Sequence, residues 1–272
     1  MLEKFIYQNH MNEILSFGQD GIYVNTNDLH DYSWGYTSKN DRISGFKAGI
    51  VKKTVPVVIL CESEKEGIRI KNKIFECAEK DILTMKYGQI VIGDYRLKCY
   101  ITGSKKSDYL ISENHMKTSL TIVTDIPFWI KETTTTFGYG AGPVGSNLDF
   151  NNDFPYDYAS NLRGKTLNNS NFIESNFKIV VYGACVNPEI VIAGHAYKVN
   201  VSVAENEYLT IDSIEKTIIL THTDGTAENC FNFRNRDSYI FEKIPPGISG
   251  VSSGQFKFDI TLLEERSEPK WT

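Results

Sequence analysis

Ile126-Pro127-Phe128-Trp129 and Phe154-Pro155-Tyr156-Asp157 bracket the stretch that divides this chain. Between them lie Thr133-Thr134-Thr135-Thr136, then Gly138, Gly140, Gly142 and Gly145, then a polar run of Asn and Asp. The stretch has no helical periodicity and is rich in residues that punctuate structure, so it reads as an interdomain connection. The expected division is a first domain over 1–132, a linker over 133–155 and a second domain over 156–272.

The halves differ in pattern. Before the connection, Ile22-Tyr23-Val24 follows the turn Gln19-Asp20-Gly21, and Val55 to Cys61 is a near-continuous apolar run, the pattern of a strand buried on both faces. Ser63-Glu64-Lys65-Glu66 fits a capping box. Behind it Ile70, Ile74, Cys77, Ala78 and Ile82 recur at helical spacing, which predicts a helix over about 63–84. Gln89–Ile92 and Tyr95–Ile101 flank Gly93-Asp94, a sequence suited to a type II′ hairpin turn. Leu120-Thr121-Ile122 continues as a further strand. The first half is therefore α+β, one helix packed on a sheet.

After Pro155 the apolar residues recur at period two. Phe177, Ile179 and Val181 alternate with Lys178, Val180 and Tyr182, and the stretches Tyr197–Val203 and Phe256–Leu262 alternate in the same way. Thr217–His222 and Glu228–Phe233 flank Thr223-Asp224-Gly225-Thr226, a second hairpin signal. Short strands with no helix between them predict a β-sandwich or jelly roll. The fold class expected is mainly β.

Composition narrows function. The chain has 272 residues, enough for two cores. Its net charge of -5 and the lack of a basic stripe argue against general nucleic-acid binding. Lys52-Lys53 and Lys105-Lys106 read as turn or surface charges. Cys61, Cys77, Cys99, Cys185 and Cys230 form no CxxC pair and are expected as free, buried thiols of a reducing compartment. No apolar run reaches the length that spans a bilayer, and the start shows no signal-peptide core, so synthesis in a cytoplasm is expected.

Each candidate chemical motif has a plainer alternative. Gly140-Ala141-Gly142-Pro143-Val144-Gly145 is a literal GxGxxG, but Pro143 interrupts it and no amphipathic helix follows, so a linker is expected rather than a dinucleotide site. Asp149-Phe150-Asn151-Asn152-Asp153 opens like a calcium loop. Phe154 then stands where glycine is required and Ser160 where glutamate is, so turn-forming Asn and Asp are the better reading. His10, His30, His115, His195 and His222 are scattered, with no His-x-His or HExxH, and no serine is read as a marked nucleophile. Glu205, Glu207 and Asp212 offer carboxylates that a glycosidase could pair. The expectation is no catalytic, cofactor or metal residue.

The order of these strings resembles the distal tail protein family of long-tailed bacteriophages and prophages over nearly the whole chain. The resemblance rests on the capped helix, Ile126–Trp129, and the connection ending Phe154–Tyr158. It continues through Glu207–Asp212, the Thr217–Phe233 hairpin, Phe241 to Gly247 with Pro245-Pro246-Gly247, and the closing Glu264-Glu265-Arg266-Ser267-Glu268-Pro269-Lys270-Trp271. It implies a ring-forming first domain that assembles as a hexamer around a channel, and a galectin-like β-sandwich second domain. It also implies a hub at the virion tail tip, assembled in the bacterial cytoplasm. The implied partners are the tail tube, the tail-associated lysin or tropism protein and the receptor-binding apparatus. Some relatives carry inserted carbohydrate-binding modules, for which the connections here leave no room. The alternative is a carbohydrate-binding β-sandwich contacting the host wall, with Tyr182, Tyr197, Tyr208, Tyr239 or Trp271 as aromatic platform.

Overall fold

The computed structural model describes residues 4–108, 114–138 and 166–271. The GxGxxG string, the calcium-like loop and the Phe154–Asp157 cluster lie outside the described residues. The chain is mainly β and divides into two compact units, residues 1–131 with 265–272, and residues 132–264.

The first unit opens with β1 (Phe5–Gln8), β2 (Ile14–Phe17) and β3 (Ile22–Val24). A hairpin follows, β4 (Gly35–Lys39) and β5 (Arg42–Lys47), and then β6 (Val51–Leu60). Helix α1 (Glu64–Thr84) precedes β7 (Gly88–Ile92), β8 (Tyr95–Ser107), β9 (His115–Thr124) and the first residues of β10 (Trp129–Phe137). Strand β8 serves two sheets. Tyr95–Cys99 pair with β7, which continues to β1 and β2. Tyr100–Ser107 pair with β9, which continues to β6 and β3. The change of partner falls between Cys99 and Tyr100, and the register with β9 then shifts between Ile101 and Gly103, the local irregularity of a bulged strand.

Helix α1 forms where the spacing predicts, and Ser63 Oγ accepts from Glu66 N at 3.3 Å. The reciprocal half of the capping box is replaced, because the Glu66 carboxylate takes the Arg69 guanidinium. Gly67, Ile70, Ile74, Cys77, Ala78 and Asp81 face the core. Ile82, expected among them, is turned outward, since the 3.6-residue period carries it off the stripe by the last turn. Asp81 is fully buried and accepts from Tyr7 Oη, from His10 N at 2.9 Å and from His10 Nδ1 at 2.6 Å, fastening the helix end to the β1–β2 hairpin. At the β7–β8 turn Gly93 has φ +56 with Asp94 beyond it, the positive first position of the expected turn.

Two expectations fail here for physical reasons. Strand β6 is buried on one face only, Val55, Val57 and Ile59 pointing inward while Pro56 and Val58 are half-exposed; an apolar run does not by itself reveal a second covering layer. Lys53 is no surface charge but only 4% exposed. Its ammonium donates to the carbonyls of Asp28 at 2.9 Å and Leu29 at 3.2 Å, and also to that of Asp31. Burial lowers its pKa, and Asp31 and Asp28 oppose that shift.

The second unit begins with the last residues of β10. It continues through β11 (Thr166–Asn169), β12 (Asn176–Tyr182), β13 (Cys185–Val186), β14 (Glu189–Ile192), β15 (His195–Lys198) and β16 (Ser202–Val203). Then come β17 (Tyr208–Asp212), β18 (Thr217–Thr221), β19 (Ala227–Asn229), β20 (Gly247–Ser253) and β21 (Phe258–Arg266). One sheet runs β19-β18-β17-β12-β21 and the other β11-β20-β14-β15. Phe177, Ile179 and Val181 alternate inward as expected, and share one core with Leu167, Ile190, Ile192 and Tyr197 of the other sheet. Phe177 meets Tyr197 edge-on at 5.0 Å between ring centroids, a contact joining the two layers of a sandwich. Beyond the second hairpin, Phe231–Phe233 form a 3-10 turn rather than a strand.

The domain limits differ from those expected at two points. Residues 133–137 continue β10, with Thr134 bonded to Thr261 at 2.9 Å and Phe137 stacked on Phe258. The Thr run is β-branched and extends the strand instead of breaking it. The last eight residues count with the first unit, where Trp271 stacks on His30 at 3.9 Å between centroids.

Lys53→Ala strips three carbonyls of their donor in a buried site. Thermal or urea denaturation is expected to register a loss of about 3 kcal/mol, the scale of breaking a buried charged hydrogen-bond set. An unchanged midpoint would contradict the role given to Lys53.

Candidate assembly surface

The carbonyls gripped by Lys53 belong to the segment that leads into the β4–β5 hairpin. Asp28 holds that segment to β6, its N donating to Thr54 O at 3.1 Å and its Oδ2 accepting from Thr54 N at 2.9 Å. At the hairpin base Trp34 meets Phe128, with ring centroids 5.6 Å apart. At its tip Asn40 and Asp41 both have positive φ, 51° and 60°, the pair of conformations a type I′ turn requires and that Asn and Asp tolerate.

The hairpin pairs with no other strand among the described residues. Its residues are nearly all exposed, yet they are not polar throughout. Tyr36 and Phe46 are cross-strand partners, each 66% exposed, and Ile43 stands opposite Ser38. Ile50 is exposed beyond the hairpin. A two-stranded hairpin has little stability of its own, and apolar side chains left in water on it make this a candidate contact surface.

A second apolar surface lies on α1. Ile68, Phe75 and Ile82 are seven residues apart and all exposed, and Leu83 and Met85 extend the patch at the helix end. Seven-residue spacing keeps the three on one stripe, opposite the face that carries Ile70, Ile74 and Cys77. Sequence periodicity marked only the inward stripe. The outward one was readable as a heptad but was masked by the Lys, Glu and Asn around it.

The candidate chemical residues do not converge. His10 serves Asp81, His30 stacks on Trp271, and His195 Nε2 lies 2.9 Å from Tyr239 O. His115 lies beside Asp108 O, and His222 lies between Glu207 and Glu228. Among the described residues no three His, Cys, Asp or Glu side chains are grouped to hold a metal. Glu207 and Asp212 flank opposite ends of β17; Asp212 accepts from Ile214 N and Glu215 N and pairs with Lys178, while Glu205 is exposed. Gly250-Val251-Ser252-Ser253-Gly254 matches the GxSxG string, contrary to the expectation that no serine is so marked. It runs along β20 rather than turning from strand to helix, so it lacks the geometry of a nucleophile elbow.

Of the aromatic candidates, Tyr197 is core, its hydroxyl donating to Glu242 O at 2.8 Å, and Tyr182 is held by Asp259 at 2.7 Å. Tyr208 and Tyr239 are exposed, and Trp271 belongs to the first unit, not the second. The five cysteines are free; Cys77, Cys99 and Cys230 are buried, whereas Cys61 and Cys185 are half-exposed.

A mainly β chain with one sheet-packed helix, followed by a β-sandwich, defines the structural class. No family model matches the sequence and no curated protein matches it. Solved structures do match. The Dit protein of phage SPP1, described as a paradigm of the hub adsorption apparatus in phages infecting Gram-positive bacteria, aligns over 96% of this chain and 99% of its own, with TM-score 0.60 and 11% identity. A chain of the phage P2 baseplate in its activated conformation with calcium aligns over 99% and 100%, with TM-score 0.64 and 12% identity. The corresponding baseplate structure with strontium gives 98% and 99%, TM-score 0.63 and 12% identity. The chain therefore has the fold of these phage tail proteins along almost its full length.

The cluster around His222 has a measurable consequence. His222 Nδ1 lies 2.7 Å from Glu207 and Nε2 3.3 Å from Glu228, with Asp224 close in the same hairpin. The hydrogen bond to Glu207, above all, raises the His222 pKa, and the same bond lowers that of Glu207. The stabilisation is present while both are charged, and is lost as pH rises through the elevated histidine value or falls through the depressed carboxylate value. Melting temperature is expected to fall from pH 6 to pH 9 in the native protein and to change less in His222→Gln. Identical pH profiles would refute the assignment.

Proposed function

We propose that this protein is a structural component of a phage tail, a distal tail hub at the tail tip, built in the bacterial cytoplasm and acting without catalysis. The observation that carries this reading is the fold likeness spanning nearly the whole chain, TM-scores 0.60 to 0.64, to a phage Dit protein and phage baseplate chains. The exposed hairpin and the outer stripe of α1 support it, because a lone subunit gains nothing by keeping Tyr36, Phe46, Phe75 and Leu83 in water.

In this reading the first unit, residues 1–131 with 265–272, forms a ring of six copies, and residues 132–264 supply the β-sandwich of each subunit. The ring joins the tail tube to the lysin or tropism protein and to the receptor-binding apparatus. A hub of this kind needs surfaces for neighbours rather than a reaction centre. The negative balance of charge, -5 overall, suits a conduit along which DNA slides without being held.

Light scattering on a size-exclusion column, followed by negative-stain imaging, tests the proposal. The expected result is a six-fold ring with a central hole. The double substitution Tyr36→Lys/Phe46→Lys is expected to convert it to monomer with the melting temperature within about 2 °C of the parent, since surface changes cost little stability. A chain that stays monomeric at high concentration and binds no purified tail tube or lysin protein would overturn the hub reading.

A further inference from the structure

The second unit carries a cleft that neither its core nor the assembly surface explains. It has a volume of about 510 Å³ and opens on the outer face of the β11-β20-β14-β15 sheet. Strand β14 directs Ile190 and Ile192 into the core, which leaves Glu189 and Val191 on the other side. Val191 and Ser252 are cross-strand partners and form the floor. Ala184, Cys185, Val186 and Asn187, around β13, line it together with Gln255 and Phe256 of the β20–β21 turn.

The chemistry of this lining is specific in kind. The side-chain amides of Asn187 and Gln255 and the hydroxyl of Ser252 are engaged by no described residue, so the lining residues hold donors and acceptors of both senses to spare. Phe256 is held against the core cluster and 5.7 Å from Phe258, a fixed apolar surface beside those polar groups. Glu189 is the one charged residue of the lining, and Lys198 pairs with it at 2.9 Å. No lysine or arginine lines the cleft, which disfavours phosphates and carboxylates. The polar mixture disfavours a lipid or an apolar peptide side chain. A ligand with several neutral hydroxyls and a C–H face answers all of these features.

We infer that this cleft binds a neutral saccharide, one or two sugar units deep, with Asn187, Ser252 and Gln255 hydrogen-bonding its hydroxyls and Phe256 covering a C–H face. The inference does not depend on the tail reading, since it stands on the second unit alone and its readout is independent of oligomeric state.

Saturation-transfer NMR on the full-length protein tests it, using methyl glycosides of glucose, galactose, rhamnose, N-acetylglucosamine and N-acetylgalactosamine, and the disaccharides cellobiose, maltose, lactose and chitobiose. Transfer to C–H protons of at least one of these sugars is expected. Asn187 has φ +48, so glycine is the replacement that removes its amide without strain. Asn187→Gly/Gln255→Ala is expected to weaken binding about tenfold, the loss of one or two hydrogen bonds. Ser252→Arg, which fills the floor, is expected to abolish it, with circular dichroism unchanged in both variants. No transfer to any sugar of the panel, or transfer that persists undiminished in both variants, would overturn the inference.

Discussion

Strand β8 has to be two strands at once, and the first unit is arranged around that requirement. Its first half completes one sheet through β7 and its second half completes another through β9, the change falling between Cys99 and Tyr100 and a register shift following between Ile101 and Gly103. Tyr95, Leu97, Cys99 and Ile101 all point inward from it, so a single strand supplies a continuous apolar row to a core that both sheets and the helix share. Helix α1 buries one stripe from Gly67 to Asp81, and its last turn is secured by the buried Asp81 and its Tyr7 and His10 donors. A polar anchor of that kind is stable only when each buried acceptor is met, which is what the β1–β2 hairpin provides.

With this core closed, the β4–β5 hairpin is left outside it. Lys53 explains how such an extension keeps a defined root. One ammonium gathers three carbonyls of the preceding segment, and Asp28 closes two further bonds to Thr54. The hairpin itself is held by its own turn and register, while its aromatic pair Tyr36–Phe46 stays in water. Fixed root and unsatisfied face together are the physical basis for reading it as an assembly element. The second unit resolves its surface differently. Its sandwich packs Phe177, Tyr197 and Phe258 in the core while Phe172, Val186 and Ile248 stay exposed, and on the β14–β20 side it turns outward a cleft that mixes polar groups with Val191 and Phe256.

Much of this was legible along the chain. Alternation at Phe177, Ile179 and Val181, the Gly93-Asp94 turn and the Ser63 cap are local signals, and each resulted in the local structure it encodes. Three features misled. Thr133–Thr136 resembled punctuation but, being β-branched, extended β10. The Val55–Cys61 run suggested two covered faces where one exists. Lys53 was indistinguishable from its neighbour Lys52, because a lysine's burial depends on which carbonyls a distant loop brings to it.

The sequence by itself determined the mainly β class, helix α1, the Gly93-Asp94 hairpin and the alternating strands around Phe177 and Phe258, since these follow from periodicity and turn chemistry within a few residues. Tertiary structure alone decided which carboxylates meet His222, that the last eight residues join the first unit, that the hairpin stands apart, and that Asn187, Ser252 and Gln255 surround one cleft. Those facts depend on residues far apart in the chain, and pairings at such separation are set by the closing of whole sheets, which no local window of sequence contains.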